Sequence, residues 1–384
     1  MMIADLATML FDFVFGWFLP FIAVLTVVVF FHELGHFLVA RWNGVTVQAF
    51  AVGFGPELFG FDDRHGTRWK LCAVPLGGYV KFLGDADGSS RPDHEALAEL
   101  SVVDSAGAFE NAALWRRALI VAAGPIANFI LAIVIYTALF LHLPDVRVPP
   151  VVGTVVEGSA AQEAGVRVGD RITAIDGSPV TRFTDIQRVT TLSSDEPLVF
   201  TIDRDGRTIE MTISPRMTER EDPFGNKYKS GLIGVGPDRS PDSIERVELG
   251  LLEAVAKAGD RVVMIIEATF GFIGDLIFGK QDARELRGPL GIADMTSQVA
   301  TLGVLELISM AALLSVSIGL MNLFPIPVLD GGHLVLYALE ALRGRALSER
   351  SQEMVFRGGL ACVLGLMLFA TSNDVLRYVE RWFG

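Results

Sequence analysis

Four long stretches without acidic or basic side chains constrain this chain more than any other feature. Phe13 to Phe31 carries no ionisable residue, and the apolar pattern runs on through His32-Glu33 to Ala40 before Arg41 ends it. Ala118 to Pro144 and Leu307 to Leu329 contain no Asp, Glu, Lys or Arg. Gly358 to Asn373 is shorter, and Met354-Val355-Phe356 lengthens it. A helix needs about 20 apolar residues to cross the hydrocarbon of a bilayer, so the pattern predicts a polytopic α-helical membrane protein with four transmembrane helices. Composition agrees. Of 384 residues, 51% are hydrophobic and 20% charged, and the mean hydropathy is +0.44; a soluble chain carries about 25% charged residues. The net charge of −13 excludes a nucleic-acid partner, which needs a basic face. Two cysteines, Cys72 and Cys362, exclude a disulfide scaffold and a Cys-rich zinc module.

The expected order along the chain is a first transmembrane helix in 1–42 and, in 43–117, a loop followed by an amphipathic surface helix at Phe109 to Arg117. A second span follows in 118–144, then a β-rich domain in 145–237 and an amphipathic linker at the membrane surface in 238–300. A third span occupies 301–330, a turn 331–353, and a fourth span with a short tail 354–384. The first span does not read as a cleaved signal peptide, because Met1 to Leu10 lacks Lys and Arg and no small-residue cleavage site follows Phe31. Basic residues cluster at Arg41 to Arg117 and at Arg343, Arg345 and Arg350. Positive-inside logic puts those loops in the cytoplasm and both termini outside, with Arg377 and Arg381 arguing the other way.

The stretch from Asp145 to about Ala300 then lies outside. Val151 to Val156 reads as a strand, Ala160 to Ala164 as one helical turn, and Arg171 to Ile175 as a strand closed by Asp176-Gly177. Leu198 to Ile202 and Thr208 to Ile213 alternate around Asp205-Gly206, a hairpin signal. Gly231 to Val235 supplies a last strand. Beyond Pro237 the period becomes helical, with charges at Glu248, Glu253, Lys257, Asp260 and Arg261. That segment fits a helix at the membrane surface or a solvated helix packed on the β domain.

The chemistry is concentrated in His32-Glu33-Leu34-Gly35-His36. Residues i and i+4 share a helix face, so both imidazoles point the same way with the glutamate beside them, the arrangement of zinc ligands and base in metalloproteases. Two His and a Glu at membrane depth are costly unless they face an ion, a cavity or partners; the plainer reading is a polar patch between helices. A zinc site needs a third protein ligand and one open position. Asp330 is the candidate, in Asn322-Leu323-Phe324-Pro325-Ile326-Pro327-Val328-Leu329-Asp330-Gly331-Gly332. An Asp-Gly-Gly after a helix is usually only a turn. Here Pro325 and Pro327 leave unpaired backbone, which a bilayer tolerates only beside protein or a cavity. His333 is a rival ligand past the glycines; His65, His94 and His142 have no partner pattern.

The His32–His36 helix, Gly124-Pro125-Ile126-Ala127-Asn128, and Asn322 through Gly332 together resemble the site-2 protease family of intramembrane zinc proteases. Within it, the bacterial regulator-of-sigma-E protease group is the nearest match. Gly53-Phe54-Gly55-Pro56, Pro75-Leu76-Gly77-Gly78-Tyr79-Val80-Lys81 and Gly288-Pro289-Leu290-Gly291-Ile292-Ala293 extend the resemblance over nearly the whole chain. It implies that the β-rich insertion is a PDZ-like domain, and Val151 to Pro237 has room for one such domain rather than two in tandem. It also implies that Gly53 to Lys81 is a β-hairpin loop dipping into the membrane beside the site, which the apolar Phe50, Val52, Phe54, Leu58, Phe59 and Phe61 fit. A soluble cytoplasmic hairpin is the alternative.

The function these residues imply is that of an intramembrane zinc endopeptidase acting on transmembrane segments. His32, His36 and Asp330 would hold Zn²⁺, and Glu33 would be the general base. His36 lies five residues from Arg41, about 7.5 Å along a helix, so the site is expected near the cytoplasmic face of a bacterial inner membrane. An unwound substrate needs new backbone partners in the bilayer. Gly77, Gly78, Tyr79, Val80 and Lys81 would offer them by strand addition, and Asn322 by its amide, unless Asn322 only bonds a neighbouring helix. The resemblance implies single-pass membrane substrates, such as anti-sigma factors or remnant signal peptides, already trimmed outside the membrane. The lipid bilayer is the other expected partner. The competing classes are a metal transporter using His32, His36 and Asp330 as a path, and an inactive PDZ scaffold, which would need none of these residues.

Overall fold

The computed structural model describes residues 12–85, 105–193, 196–221, 227–240, 243–279, 281–345 and 347–383. The predicted first span is the helix α1 (Leu19–Trp42), entered through a π-helical stretch at Asp12–Phe18. Pro20 sits in its first turn, where the missing N–H has no intrahelical partner to lose, and Arg41 lies in the last turn against the negative end of the dipole. Strands β1 (Val47–Asp62) and β2 (Arg68–Phe82) follow as the predicted hairpin. Its pairing is folded back on itself. Phe50 stands opposite both Val80 and Trp69, and Val52 opposite both Gly78 and Leu71, so the first half of β1 lies between the two halves of β2. The second half of β1 pairs outside Arg68–Cys72, from Glu57↔Cys72 to Asp62↔Arg68. Gly78–Phe82 is left as an edge.

Helix α2 (Leu114–His142) is the second span. The expected amphipathic helix at Phe109 to Arg117 is not formed. Phe109 to Ala113 make turns because Phe109 is buried against the hairpin, stacked on Phe82 at 4.8 Å between ring centroids, and Leu114 to Arg117 begin α2 itself. His94 and the tail Met1 to Leu10 lie outside the described residues.

Phe140–Glu253 form a separate compact unit. It contains β3 (Asp145–Arg147), β4 (Val152–Val155), α3 (Ala160–Glu163), β5 (Arg171–Ile175), β6 (Ser178–Pro179), α4 (Phe183–Leu192), β7 (Leu198–Arg204), β8 (Arg207–Ile213), β9 (Arg216–Glu221), β10 (Lys227–Leu232), β11 (Val235–Pro237) and β12 (Glu245–Val247). The central sheet has the order β6-β5-β7-β8, and the alternation in β7 buries Leu198, Phe200 and Ile202 in one core. The unit extends beyond 145–237 because β12 pairs with β3, Arg246 opposite Val146. The expected strand at Gly231 to Val235 is split, Leu232 ending one ladder and Val235 opening another.

The membrane unit resumes with α5 (Leu251–Ile277), whose Ala254, Ala258, Val262 and Ile265 share one buried stripe, as an amphipathic helix requires. The rest of the expected linker is also ordered. Helix α6 (Pro289–Leu302) begins in the Gly288-Pro289-Leu290-Gly291 motif, and the buried carboxylate of Asp374 accepts the N–H groups of Gly288 and Gly291 at 3.1 and 2.8 Å. Helix α7 (Val304–Asn322) is the third span and packs Ala311 against Val24 and Val28 of α1. It stops at Asn322, short of the predicted Asp330. The expected turn at 331–353 is instead α8 (Asp330–Arg343), closed by Gly344 in the left-handed region at φ 69°. Gly331 and Gly332 lie in the first turn of this helix, and glycine is needed there because a Cβ on either would strike backbone of Leu323 or Ile326 within 2.4 Å. Helix α9 (Glu349–Phe383) follows, and among the described residues four helices are long and apolar enough to cross a membrane.

Candidate metal centre

Three chain segments converge on one point. From α1, the helical spacing sets His32 and His36 with their Nε2 atoms 3.2 Å apart. From the first turn of α8, Asp330 Oδ2 lies 3.2 Å from His32 Nε2 and 3.5 Å from His36 Nε2. Among the described residues this is the group of His and acid side chains that can hold a metal ion. The donor set fits zinc. Zn–N and Zn–O bonds of about 2.0–2.1 Å at tetrahedral angles put donors about 3.3–3.4 Å apart. Asp330 Oδ2 is buried and has no hydrogen-bond partner, so the oxygen aimed at both imidazoles is the one left over for a cation. His333, the rival, is not in the cluster. Its ring lies 5.7 Å from Phe356 and 6.4 Å from Tyr337.

The helix α2 completes the site, and sequence reasoning assigned it no role. His36 Nδ1 lies 2.8 Å from the Ile120 carbonyl, which can only accept, so Nδ1 carries the proton and Nε2 is free for a metal. Asn128, fully buried, stands 3.2 Å from His32 Nδ1. The close crossing depends on glycine. A Cβ on Gly35 would meet the Ala123 carbonyl oxygen at 2.3 Å, and one on Gly124 would meet His36 Nε2 at 2.2 Å. Pro125 removes the intrahelical donor to the Val121 carbonyl in the same turn. The signals were a proline and an asparagine inside an apolar span. A backbone carbonyl such as that of Ile120 leaves no sequence signal.

Glu33 points from the same helix to the edge of the hairpin. Its carboxylate accepts the backbone N–H of Val80, and a Cβ on Gly78 would stand 3.0 Å from Glu33 Cγ. That fixes the facing of the edge. Neighbouring residues of a strand direct their N–H groups to opposite sides. Val80 directs its N–H away from β1, as does Phe82, which donates to Asp85 Oδ2 at 3.1 Å. By the same alternation Gly78 faces outward, whereas Tyr79 and Lys81 donate towards β1. Gly77 precedes them with φ 130°, and Tyr79 stacks on Phe54 at 6.2 Å. Asn322, at the end of α7, is half-buried.

The hairpin is tied to α1 through Asp63, paired with Arg41 at 2.8 Å. Burial alone would raise the pKa of Asp63, but the N–H groups of Thr67 and His65, the Trp69 indole and the Arg41 guanidinium together hold it at about 2. The tether therefore persists as pH falls until it approaches that value. Trp42 is 88% exposed and Trp115 58% exposed at the ends of α1 and α2, a level suited to the bilayer interface. His36 lies six residues from Trp42, about 9 Å along the helix.

A three-donor zinc site with an adjacent carboxylate, carried by helices long enough to span a bilayer, defines a membrane metallopeptidase. The chain belongs to peptidase family M50, which it matches over residues 20–366. A protein of Agrobacterium fabrum named as a zinc metalloprotease is 49% identical, covering 94% of this chain and 96% of its own. One from Rhizobium meliloti, named likewise, is 48% identical over 92% and 95%. Metalloprotease MmpA of Caulobacter vibrioides is 39% identical over 92% and 94%. Solved PDZ domains of SdrC-like proteins from Listeria monocytogenes and Listeria innocua also match. They cover 23% and 24% of this chain and 85% and 96% of theirs, at 17% and 20% identity, with a TM-score of 0.19 for each. The β-rich character of Phe140–Glu253 rests on its own strands.

Proposed function

We propose that this metalloprotease cleaves peptide bonds within transmembrane segments of single-pass membrane proteins, with His32, His36 and Asp330 as zinc ligands and Glu33 as general base. The observation that carries this reading is the position of Glu33. It sits on a membrane-spanning helix, one residue from His32, and touches the outward edge of a β-strand. Zinc, when bound, supplies the Lewis acidity that brings the pKa of water towards ~7 and polarises a carbonyl. Glu33 takes the proton of the attacking water and returns it to the leaving amine. An unwound substrate added as a strand along Gly78–Val80 takes over the Val80 N–H from Glu33, so its backbone groups stay paired in the bilayer and its scissile bond lies beside Glu33. Asn322 steadies the other side of the substrate with its amide.

Positive-inside logic favours a bacterial inner membrane with both termini and the β-rich domain on the periplasmic side, and the site towards the cytoplasm. The β-rich domain restricts entry of bulky substrates and fits the capture of a trimmed C-terminus near Gly231 to Gly236. Anti-sigma factors and remnant signal peptides are the substrate classes that fit. The test is cleavage of a transmembrane peptide by the purified chain in detergent, with and without a chelator. Chelator-sensitive cleavage inside the apolar segment is expected; metal flux in liposomes without cleavage would favour a transporter instead.

The edge makes a sharper expectation. Val80→Pro removes the N–H that reaches Glu33 and should keep zinc content while slowing cleavage about tenfold, as the loss of one hydrogen bond to a charged group would. Tyr79→Pro removes a donor directed towards β1 and should loosen the hairpin itself. Unchanged cleavage by a zinc-loaded Val80→Pro variant would exclude this edge from the reaction.

A further inference from the structure

The geometry points to Asn128 as the positioning residue that sets the tautomer of His32, its carboxamide oxygen accepting from Nδ1–H so that the Nε2 lone pair faces the metal. The inference rests on reading His32, His36 and Asp330 as a zinc site.

Asn128 is fully buried in the middle of an apolar span, where a carboxamide is costly unless it bonds to something specific. Its surroundings allow it little freedom. Ser315 of α7 donates to the Asn128 backbone carbonyl at 2.8 Å, and Gly319, one turn further on, comes so close that an added Cβ would stand 3.0 Å from Asn128 Cβ. Helices α2 and α7 therefore fix the residue's main chain and the root of its side chain. What remains is the torsion that decides which end of the amide faces His32, and both ends have the same shape.

The two ends have opposite consequences. With nitrogen towards His32, at 3.2 Å, Nδ1 must accept and the ring proton is forced onto Nε2. That proton would then point towards His36 Nε2 and Asp330 Oδ2, each 3.2 Å from the nitrogen that carries it. A protonated Nε2 cannot bind a metal. In that orientation the amide oxygen also remains buried with no partner. With oxygen towards His32, the amide accepts from Nδ1–H and Nε2 presents its lone pair. The nitrogen-first orientation therefore does not satisfy the amide, and the demand of the three-donor cluster decides. His36 already has this tautomer, imposed by the Ile120 carbonyl at 2.8 Å. Asn128 does with a side chain for His32 what Ile120 does with its backbone for His36. Outer partners of this kind hold ligand rings in register and change metal affinity by about 10–100-fold.

The experiment measures zinc affinity of the purified full-length chain in detergent by competition with a chromophoric chelator, together with the visible spectrum of the cobalt-loaded protein. Asn128→Leu, close in shape, should lose about 10–100-fold in zinc affinity while keeping wild-type helicity and thermal unfolding. Asn128→Asp, whose carboxylate can only accept, should bind zinc at least as tightly as wild type and keep its cobalt spectrum. A role in packing alone would lower stability in both variants and leave affinity unmoved. Wild-type affinity in Asn128→Leu overturns the proposal. So does an Asn128→Asp variant that loses affinity, since that would make the amide a donor; this variant decides the matter even if the leucine variant fails to fold. A wild-type chain that binds no zinc would instead refute the zinc-site reading itself.

Discussion

Glu33→Gln should bind zinc like the wild-type chain and cleave about 10²–10⁴-fold more slowly, the usual contribution of a positioned general base. Glutamine keeps the length and shape of glutamate, and its amide oxygen still accepts the Val80 N–H, so the packing of Glu33 against Gly78 survives. What it loses is the ability to take a proton. The ligand set is untouched, because the three convergent donors come from His32, His36 and Asp330. Metal analysis of the purified variant and its single-turnover cleavage of a transmembrane peptide separate the two properties. Normal cleavage would remove Glu33 from the chemistry. Lost zinc would make it a ligand rather than a base.

The parts of this fold that were legible in the sequence are those fixed by period and solvent. Uncharged runs of span length cannot be much else, and the i, i+4 pair His32 and His36 fixes two ligand directions once the helix is granted. Asp330 was reachable because prolines broke the span before it. What was illegible depends on contact between segments far apart in the chain. Nothing local in Gly331-Gly332 says whether the pair ends a helix or begins one, nor that the backbone of Leu323 and Ile326 presses against it. The turn at Phe109 is likewise imposed by the hairpin on which that ring stacks. The facing of the Gly78–Phe82 edge follows from pairing register, and a slip of one residue would reverse it. The second helix shows the same limit at the site. Gly124, Pro125 and Asn128 stood out as a motif, yet their service to His32 and His36 appears only when α2 crosses α1.

That crossing gives the second large expectation. Gly124→Ala should cost the chain most of its zinc affinity although it changes no ligand and adds one methyl group. The added Cβ would lie 2.2 Å from His36 Nε2, 2.5 Å from His36 Cε1 and 2.9 Å from His32 Cε1, well inside van der Waals contact with both rings. Two ways of relieving the overlap are available, and both damage the site. If the rings turn aside, Nε2 of His36 leaves the donor cluster and Nδ1 leaves the Ile120 carbonyl. If α2 retreats, it gives up the contact of Ala123 and Ala127 with Gly35. It also draws Asn128 away from His32. Overpacking of this kind costs about 1–3 kcal/mol, which concentrated on ligand geometry corresponds to roughly 5–150-fold in zinc affinity. Cleavage should fall at least in parallel, and excess zinc should restore part of it, unlike the loss in Glu33→Gln. The measurement is chelator competition on Gly124→Ala beside Gly259→Ala, a control glycine on α5 with open space at its Cβ position. Equal zinc affinity in the two variants would mean that α2 does not approach the imidazoles this closely.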